Sequence, residues 1–154
     1  MKQESAEVSK PPAPTVFSTA GIYEQDADLV SVMMPFSAEF PPVYKALQKA
    51  AAANGLKCQR ADEIWKHHQV SQDIVDLITK ARVVICDCTT KNPNVFYEIG
   101  IAHSLGKEVI LITQAKADVP FDLQHLRYVL YLKNKEGLSE LTKAVHERLK
   151  TLIG

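Results

Sequence analysis

Apolar and polar positions change over in a regular rhythm along most of the chain. From Asp28 the segment DLVSVMMPF is apolar and stopped by Pro35; after EFPP comes VYKALQKAAAANG, rich in helix formers, with Gly55 placed to close it. The next segment, LKCQRADEIWKHH, predicts a strand ending near Arg60 and then a polar loop. SQDIVDLITKA follows, with Ile74, Leu77 and Ile78 at helical spacing behind Ser71 as the expected cap. RVVICDCTT holds the most continuous apolar run, Val83 to Cys86, the pattern of a central strand in a parallel sheet covered on both faces. Cys86 and Cys88 alternate with polar neighbours and are expected as small core residues in opposite layers. NPNVFYEIGIAHSLGK then predicts a helix with Asn92 as cap, Pro93 in its first position and Gly106 closing it. EVILIT reads as a buried strand, PFDLQHL as a loop or single turn, and RYVLYL as a last strand. LSELTKAVHERLKTLI is an amphipathic helix with Leu138, Leu141, Val145, Leu149 and Ile153 on one side.

Five strands alternating with four main helices predict an α/β fold: an open five-stranded parallel sheet with helices on both faces, flavodoxin-like in strand order. No internal repeat is visible. Residues 1–15 are polar, carry Pro11, Pro12 and Pro14, and are expected to form a flexible tail before a single domain at 16–154. Composition adds exclusions. Lys plus Arg and Asp plus Glu are 18 each, so no basic stripe points to a nucleic acid polymer or an anionic membrane. The three cysteines show no CxxC spacing, against both a disulfide framework and a zinc site, and fit a reducing compartment. No apolar run approaches the roughly 18 residues of a membrane span, and MKQESAEVSKPPAPT lacks a signal-peptide core, so a soluble, cytoplasmic protein is expected.

In sheets of this kind ligands bind beyond the carboxyl ends of the strands. The loops there gather Asp62, Glu63, Asp87, Thr89, Asn92, Asn94, Glu98 and Asp122. Glu98 is the most informative, because its neighbours Phe96, Ile99, Gly100, Ile101 and Ala102 offer little polar surface. A buried unpaired carboxylate is costly, so Glu98 either faces solvent as an ordinary helix residue or faces a functional cleft. Phe36 and Trp65 follow strands, where an aromatic either stacks a base or caps the core. His103 reads as a surface or half-buried helix residue, and the adjacent His67 and His68 make no metal-ligand spacing. The absence of GxGxxG and GxxxxGK[ST] removes dinucleotide-dependent dehydrogenases and P-loop kinases. No cofactor and no metal are expected.

The run DIVDLITKARVVICDCTTKNPNVFYEIGIAHSLGKEVILIT resembles the nucleoside 2'-deoxyribosyltransferase superfamily, including its deoxynucleotide N-hydrolases, and more distantly the Toll/interleukin-receptor (TIR) domains that cleave NAD. The resemblance covers about Asp28 to Thr113. Its YEIG segment stands where the transferases carry the glutamate that attacks the anomeric carbon, which implies Glu98 as nucleophile or oxocarbenium stabiliser. It further implies Asp87 positioning Glu98 or assisting leaving-group protonation, Asp62 or Glu63 on a sugar hydroxyl, Asn92 and Asn94 orienting base or ribose, and Ser37 on a phosphate, with Phe36 and Asp122 lining the same site. Tyr97 is expected to pack. The first loop, MPFSAEF, departs from the transferases' usual opening and leaves the substrate open among nucleoside, nucleotide and NAD-like molecules. A homo-oligomer is implied, since transferases of this kind complete their sites across subunits. The alternative is a non-catalytic nucleotide-binding or TIR-like signalling module on the same fold.

Overall fold

The computed structural model describes residues 13–19, 24–60 and 70–154. Asp62, Glu63, Trp65, His67 and His68, and all of the expected tail but its last three residues, lie outside these. In chain order the elements are β1 (Leu29–Met33), α1 (Pro41–Ala52), β2 (Lys57–Arg60), α2 (Val70–Lys80), β3 (Val83–Asp87), α3 (Pro93–Ser104), β4 (Glu108–Thr113), β5 (Tyr128–Leu130) and α4 (Lys135–Ile153). The sheet is entirely parallel in the order β2-β1-β3-β4-β5, which is the expected α/β architecture with flavodoxin-like strand order.

Two-residue periodicity divides the core. Val30 and Val32 of β1, Val83 and Ile85 of β3, and Ile110 and Ile112 of β4 face one way, packing with Leu47 of α1 and with Leu141, Val145 and Leu149 of α4. Leu29 and Met33, Val84 and Cys86, and Leu111 face the other way, against Val75, Leu77 and Ile78 of α2 and Val95, Ile99 and Ala102 of α3. Cys88 joins Cys86 in this second layer. The expectation of opposite layers is corrected here, because residues two apart on an extended backbone return to the same face.

Helix boundaries moved by a turn or less. Pro41 and Pro42 belong to α1 itself, in its first turn, where a missing N–H removes no helical hydrogen bond. α2 begins at Val70, so Ser71, expected as its cap, lies within the helix. α4 starts at Lys135 rather than near Leu138, with the Asn134 side chain accepting from the Gly137 N–H at 2.6 Å. The expected caps of α3 are present: the Asn92 side chain accepts from the Asn94 N–H at 2.9 Å, Pro93 opens the helix, and Gly106 follows it with φ +72°. Lys107, just beyond, donates its ammonium to the Thr79 and Ala81 carbonyls at 2.6 and 2.9 Å, satisfying the end of α2. Among the described residues no helix is long and apolar enough to cross a membrane.

Candidate active site

The strand order reverses between β1 and β3, whose neighbours in sequence run off to opposite sides, so the crevice of this fold opens beyond Met33 and Asp87. The loop after β1 and the crossover Cys88–Asn92 bound it. α3 starts from that crossover and carries Glu98 back along the sheet.

Val95, Glu98, Ile99 and Ala102 form the buried stripe of α3, and Glu98 is 7% exposed. That resolves the alternative left open by the sequence: Glu98 is not a solvated helix residue. Its helical neighbours at four residues are Asn94 and Ala102, so no cation is placed beside it by helix geometry. Among the described residues it has no hydrogen-bond or ion-pair partner. Burial alone pushes its carboxyl up to about 7, and it lies close enough to Cys86 of β3 to raise that thiol electrostatically, in addition to the larger effect of the thiol's own burial. A group poised at that value is half ionised near neutral pH, as a general acid or base requires, and its ionised fraction is available as a nucleophile.

Asp87 is fully buried and held by three donors. One carboxylate oxygen accepts from the Thr89 N–H at 2.9 Å and the Thr89 hydroxyl at 2.5 Å; the other accepts from the Tyr131 hydroxyl at 2.5 Å. Burial raises its carboxyl above the ordinary range, and the bonds from Thr89 and Tyr131 oppose that rise. Gln114 extends the network, its side-chain amide donating to the Tyr131 oxygen at 3.1 Å and its backbone N–H to the Thr89 hydroxyl at 3.0 Å. Asp87 shares the parity of Val83 and Ile85 and meets Tyr131 on the α1–α4 side, whereas Glu98 belongs to the α2–α3 side. The two carboxylates therefore lie on opposite faces of β3, with no hydrogen bond between them.

The crossover is strained. Thr90 and Lys91 both take left-handed backbone, φ 68° and 55°, without a glycine, at a cost of roughly 1–2 kcal/mol each. The Thr90 N–H is held by the Asp118 carboxylate at 2.9 Å, and the Cys88 N–H by the Ile112 carbonyl at 2.8 Å. A buried acceptor stripped of its donor costs about 1–3 kcal/mol, and more when charged, so the Asp87 network is of the size needed to hold this path.

Of the remaining expected site residues, Phe36 is 64% exposed in the loop after β1 and Ser37 beside it is exposed, its carbonyl accepting from the Phe40 N–H. Asn94 is exposed in the first turn of α3, and Asn92 is occupied at its oxygen by the cap it makes. Asp122 is exposed in a single 3-10 turn between β4 and β5. Tyr97 is 58% exposed and does not pack as expected, because it sits on the side of α3 away from the sheet. Sequence reasoning passed over Tyr131, Gln114, Asp118, Ser31 and Asp73. Asp73, 5% exposed, shares the buried stripe of α2 with Leu77, a position that the four-residue spacing signals. Ser31, fully buried on the α2–α3 side of β1, has a hydroxyl without a hydrogen-bond partner among the described residues. No local pattern marks the others. A groove of about 810 Å³ lies instead along the amino-terminal half of β4, between His103, Tyr128 and Arg148, and does not include Glu98. Among the described residues no cluster of His, Cys, Asp and Glu is arranged to hold a metal ion.

No model of a known protein family matches the chain, and no curated protein matches it in sequence. Solved structures match in shape. The flavodiiron protein from Giardia intestinalis superposes with TM-score 0.56 at 15% identity, over 84% of this chain and 36% of that one. A de novo designed Rossmann 2x3 protein superposes with TM-score 0.51 at 16% identity, over 82% of this chain and 91% of that one. A 2-desoxiribosyltransferase from Leishmania mexicana gives TM-score 0.48 at 15% identity, over 57% of this chain and 65% of that one. The chain thus spans just under two thirds of the length of the Leishmania protein and about a third of the Giardia one. The Giardia and designed structures establish a Rossmann-like α/β fold and leave function to the residues of the site.

Proposed function

We propose that the protein cleaves or transfers an N-glycosidic bond in a nucleoside, nucleotide or NAD-like substrate, with Glu98 as the nucleophile or oxocarbenium stabiliser. One observation carries the reading: a carboxyl held near neutral pKa by burial, without a hydrogen-bond or ion-pair partner among the described residues, in the apolar stripe of the helix that starts at the switch-point crevice. A structural role gives no return for the cost of that burial.

The ionised Glu98 attacks the anomeric carbon as the C–N bond breaks, and the bonding electron pair leaves on the base, which is then protonated. Water completes hydrolysis by attacking the glycosyl ester and releasing the sugar. An acceptor base in the same place completes transfer; either attack frees the carboxylate. Asp87, saturated by three donors on the far face of β3, fits the positioning role better than that of proton donor. Phe36 suits stacking on a base, Ser37 a phosphate, and Asn94 and the free amide of Asn92 the base or ribose. Asp62 and Glu63, which follow β2 in the sequence, would take sugar hydroxyls, and Asp122 the rim.

The test incubates the purified protein and Glu98→Gln with nucleosides, deoxynucleoside monophosphates and NAD, and reads free base or nicotinamide by chromatography. Release by the native protein, lowered at least 1,000-fold in Glu98→Gln, is the expected result. Ligand-dependent rise in melting temperature with no product from any substrate would instead identify a nucleotide-binding module.

A further inference from the structure

We propose that Tyr131 is a positioning residue for Glu98, its hydroxyl acting through Asp87 and Thr89 to hold the crossover that sets where α3 presents the carboxylate. The inference deepens the functional reading above and rests on it only where turnover is measured.

The crossover from β3 to α3 contains two successive left-handed residues, one of them the β-branched Thr90, and such a path persists only where its surroundings over-determine it. The fixing groups come from three strands. Asp87, at the end of β3, grips the backbone and hydroxyl of Thr89; Gln114, just past β4, donates its N–H to the same hydroxyl; Tyr131, just past β5, closes the second oxygen of Asp87. Tyr131 is itself fixed, its N–H donating to the Thr113 carbonyl at 3.0 Å and its side chain 3% exposed. The hydroxyl is the sole hydrogen bond given to that oxygen of Asp87 among the described residues.

Removing the hydroxyl leaves a fully buried carboxylate oxygen unsatisfied, a penalty of the same size as the strain stored at Thr90 and Lys91. The crossover then relieves both by letting Asp87 and Thr89 turn. The carboxyl-terminal half of α3 stays docked through Ile99 and Ala102, so the chain remains folded, but its first turns, which Asn92 caps and Val95 anchors, are no longer held, and Glu98 shifts with them. Tyr131 contributes nothing to the crevice directly, since it lies on the opposite face of the sheet; its effect is transmitted through the backbone.

The experiment follows the Glu98 side-chain carboxyl by carbon NMR across a pH titration of the full chain, in the native protein, Tyr131→Phe, Thr89→Val and Thr89→Ser. The neighbouring group that bears on that titration is the Cys86 thiol on β3, unchanged in all four proteins. Tyr131→Phe and Thr89→Val are each expected to move the Glu98 midpoint down by at least one pH unit as solvent reaches it, while Thr89→Ser, which keeps the hydroxyl, titrates as the native protein does. With a turned-over substrate in hand, the same two variants are expected to lose at least 10-fold in kcat with KM within twofold. An unchanged Glu98 midpoint in both Tyr131→Phe and Thr89→Val overturns the proposal. Should Glu98→Gln leave base release intact, it is the glycosidic reading that falls, and the titration still decides the role of Tyr131.

Discussion

At the scale of the residue, the buried carboxyl of Glu98 costs stability. Its carboxyl stands near 7 in the folded chain against an ordinary value of 4.5, so between those pH values the folded state binds more protons than the unfolded one. Stability therefore falls as pH rises from about 4.5 through 7, and the full penalty, roughly 3 kcal/mol, is present above that window. Glutamine has the same shape and no charge. Glu98→Gln is expected to melt about 5–10 °C above the native protein at pH 8 and to converge with it near pH 4, as scanning calorimetry at the two pH values would show. Equal melting temperatures at pH 8 would mean that the carboxylate is already compensated.

Among the elements, α4 shows how a packing contact overrules intrinsic propensity. Gly137 sits in its first turn, where alanine is the better helix former by about 1 kcal/mol. A Cβ at that position would stand 2.1 Å from the Leu132 carbonyl oxygen and 2.7 Å from its carbon, both backbone atoms that cannot swing aside. Gly137→Ala is accordingly expected to destabilise the protein by about 2 kcal/mol or more in urea unfolding, despite its helical preference. The same segment brings the chain from β5, past Tyr131, into the Asn134 cap, so a rigid turn here also fixes the strand end from which Tyr131 reaches Asp87.

For the molecule as a whole, the two layers are closed by different means. Away from the Asp87–Tyr131 network at the strand ends, the α1–α4 layer is broad and apolar, with Leu141, Val145 and Leu149 at 0–1% exposure and the Thr142 hydroxyl donating across to the Ala46 carbonyl at 3.0 Å. The α2–α3 layer holds three buried polar side chains, Ser31, Asp73 and Glu98, on the side that bounds the crevice. Under the proposed function, stability concentrates in the first layer and the reacting carboxylate belongs to the second. Leu141→Ala, far from Glu98, is expected to cost about 3 kcal/mol and lower the melting midpoint by roughly 6–12 °C without changing turnover per folded molecule. A loss of turnover in the folded variant would show that the layers are coupled.

Strand and helix positions were legible in the sequence because burial on a sheet or a helix stripe repeats every two or 3.6 residues, and caps such as Asn92, Pro93 and Gly106 act through their own backbone. The parallel sheet followed from the alternation of those elements. Glu98 stood out for a local reason too, as a charge among apolar neighbours. Its burial, and the division of Asp87 and Glu98 between opposite faces of β3, depended on which layer each element joined. Tyr131, Gln114 and Asp118 were invisible along the chain, since they meet the β3–α3 crossover from 25 to 44 residues away. The sequence by itself determined the elements and the one carboxylate out of place; only the tertiary structure decided what holds it there, because hydrogen bonds between strand ends are set by register and packing rather than by any local spacing.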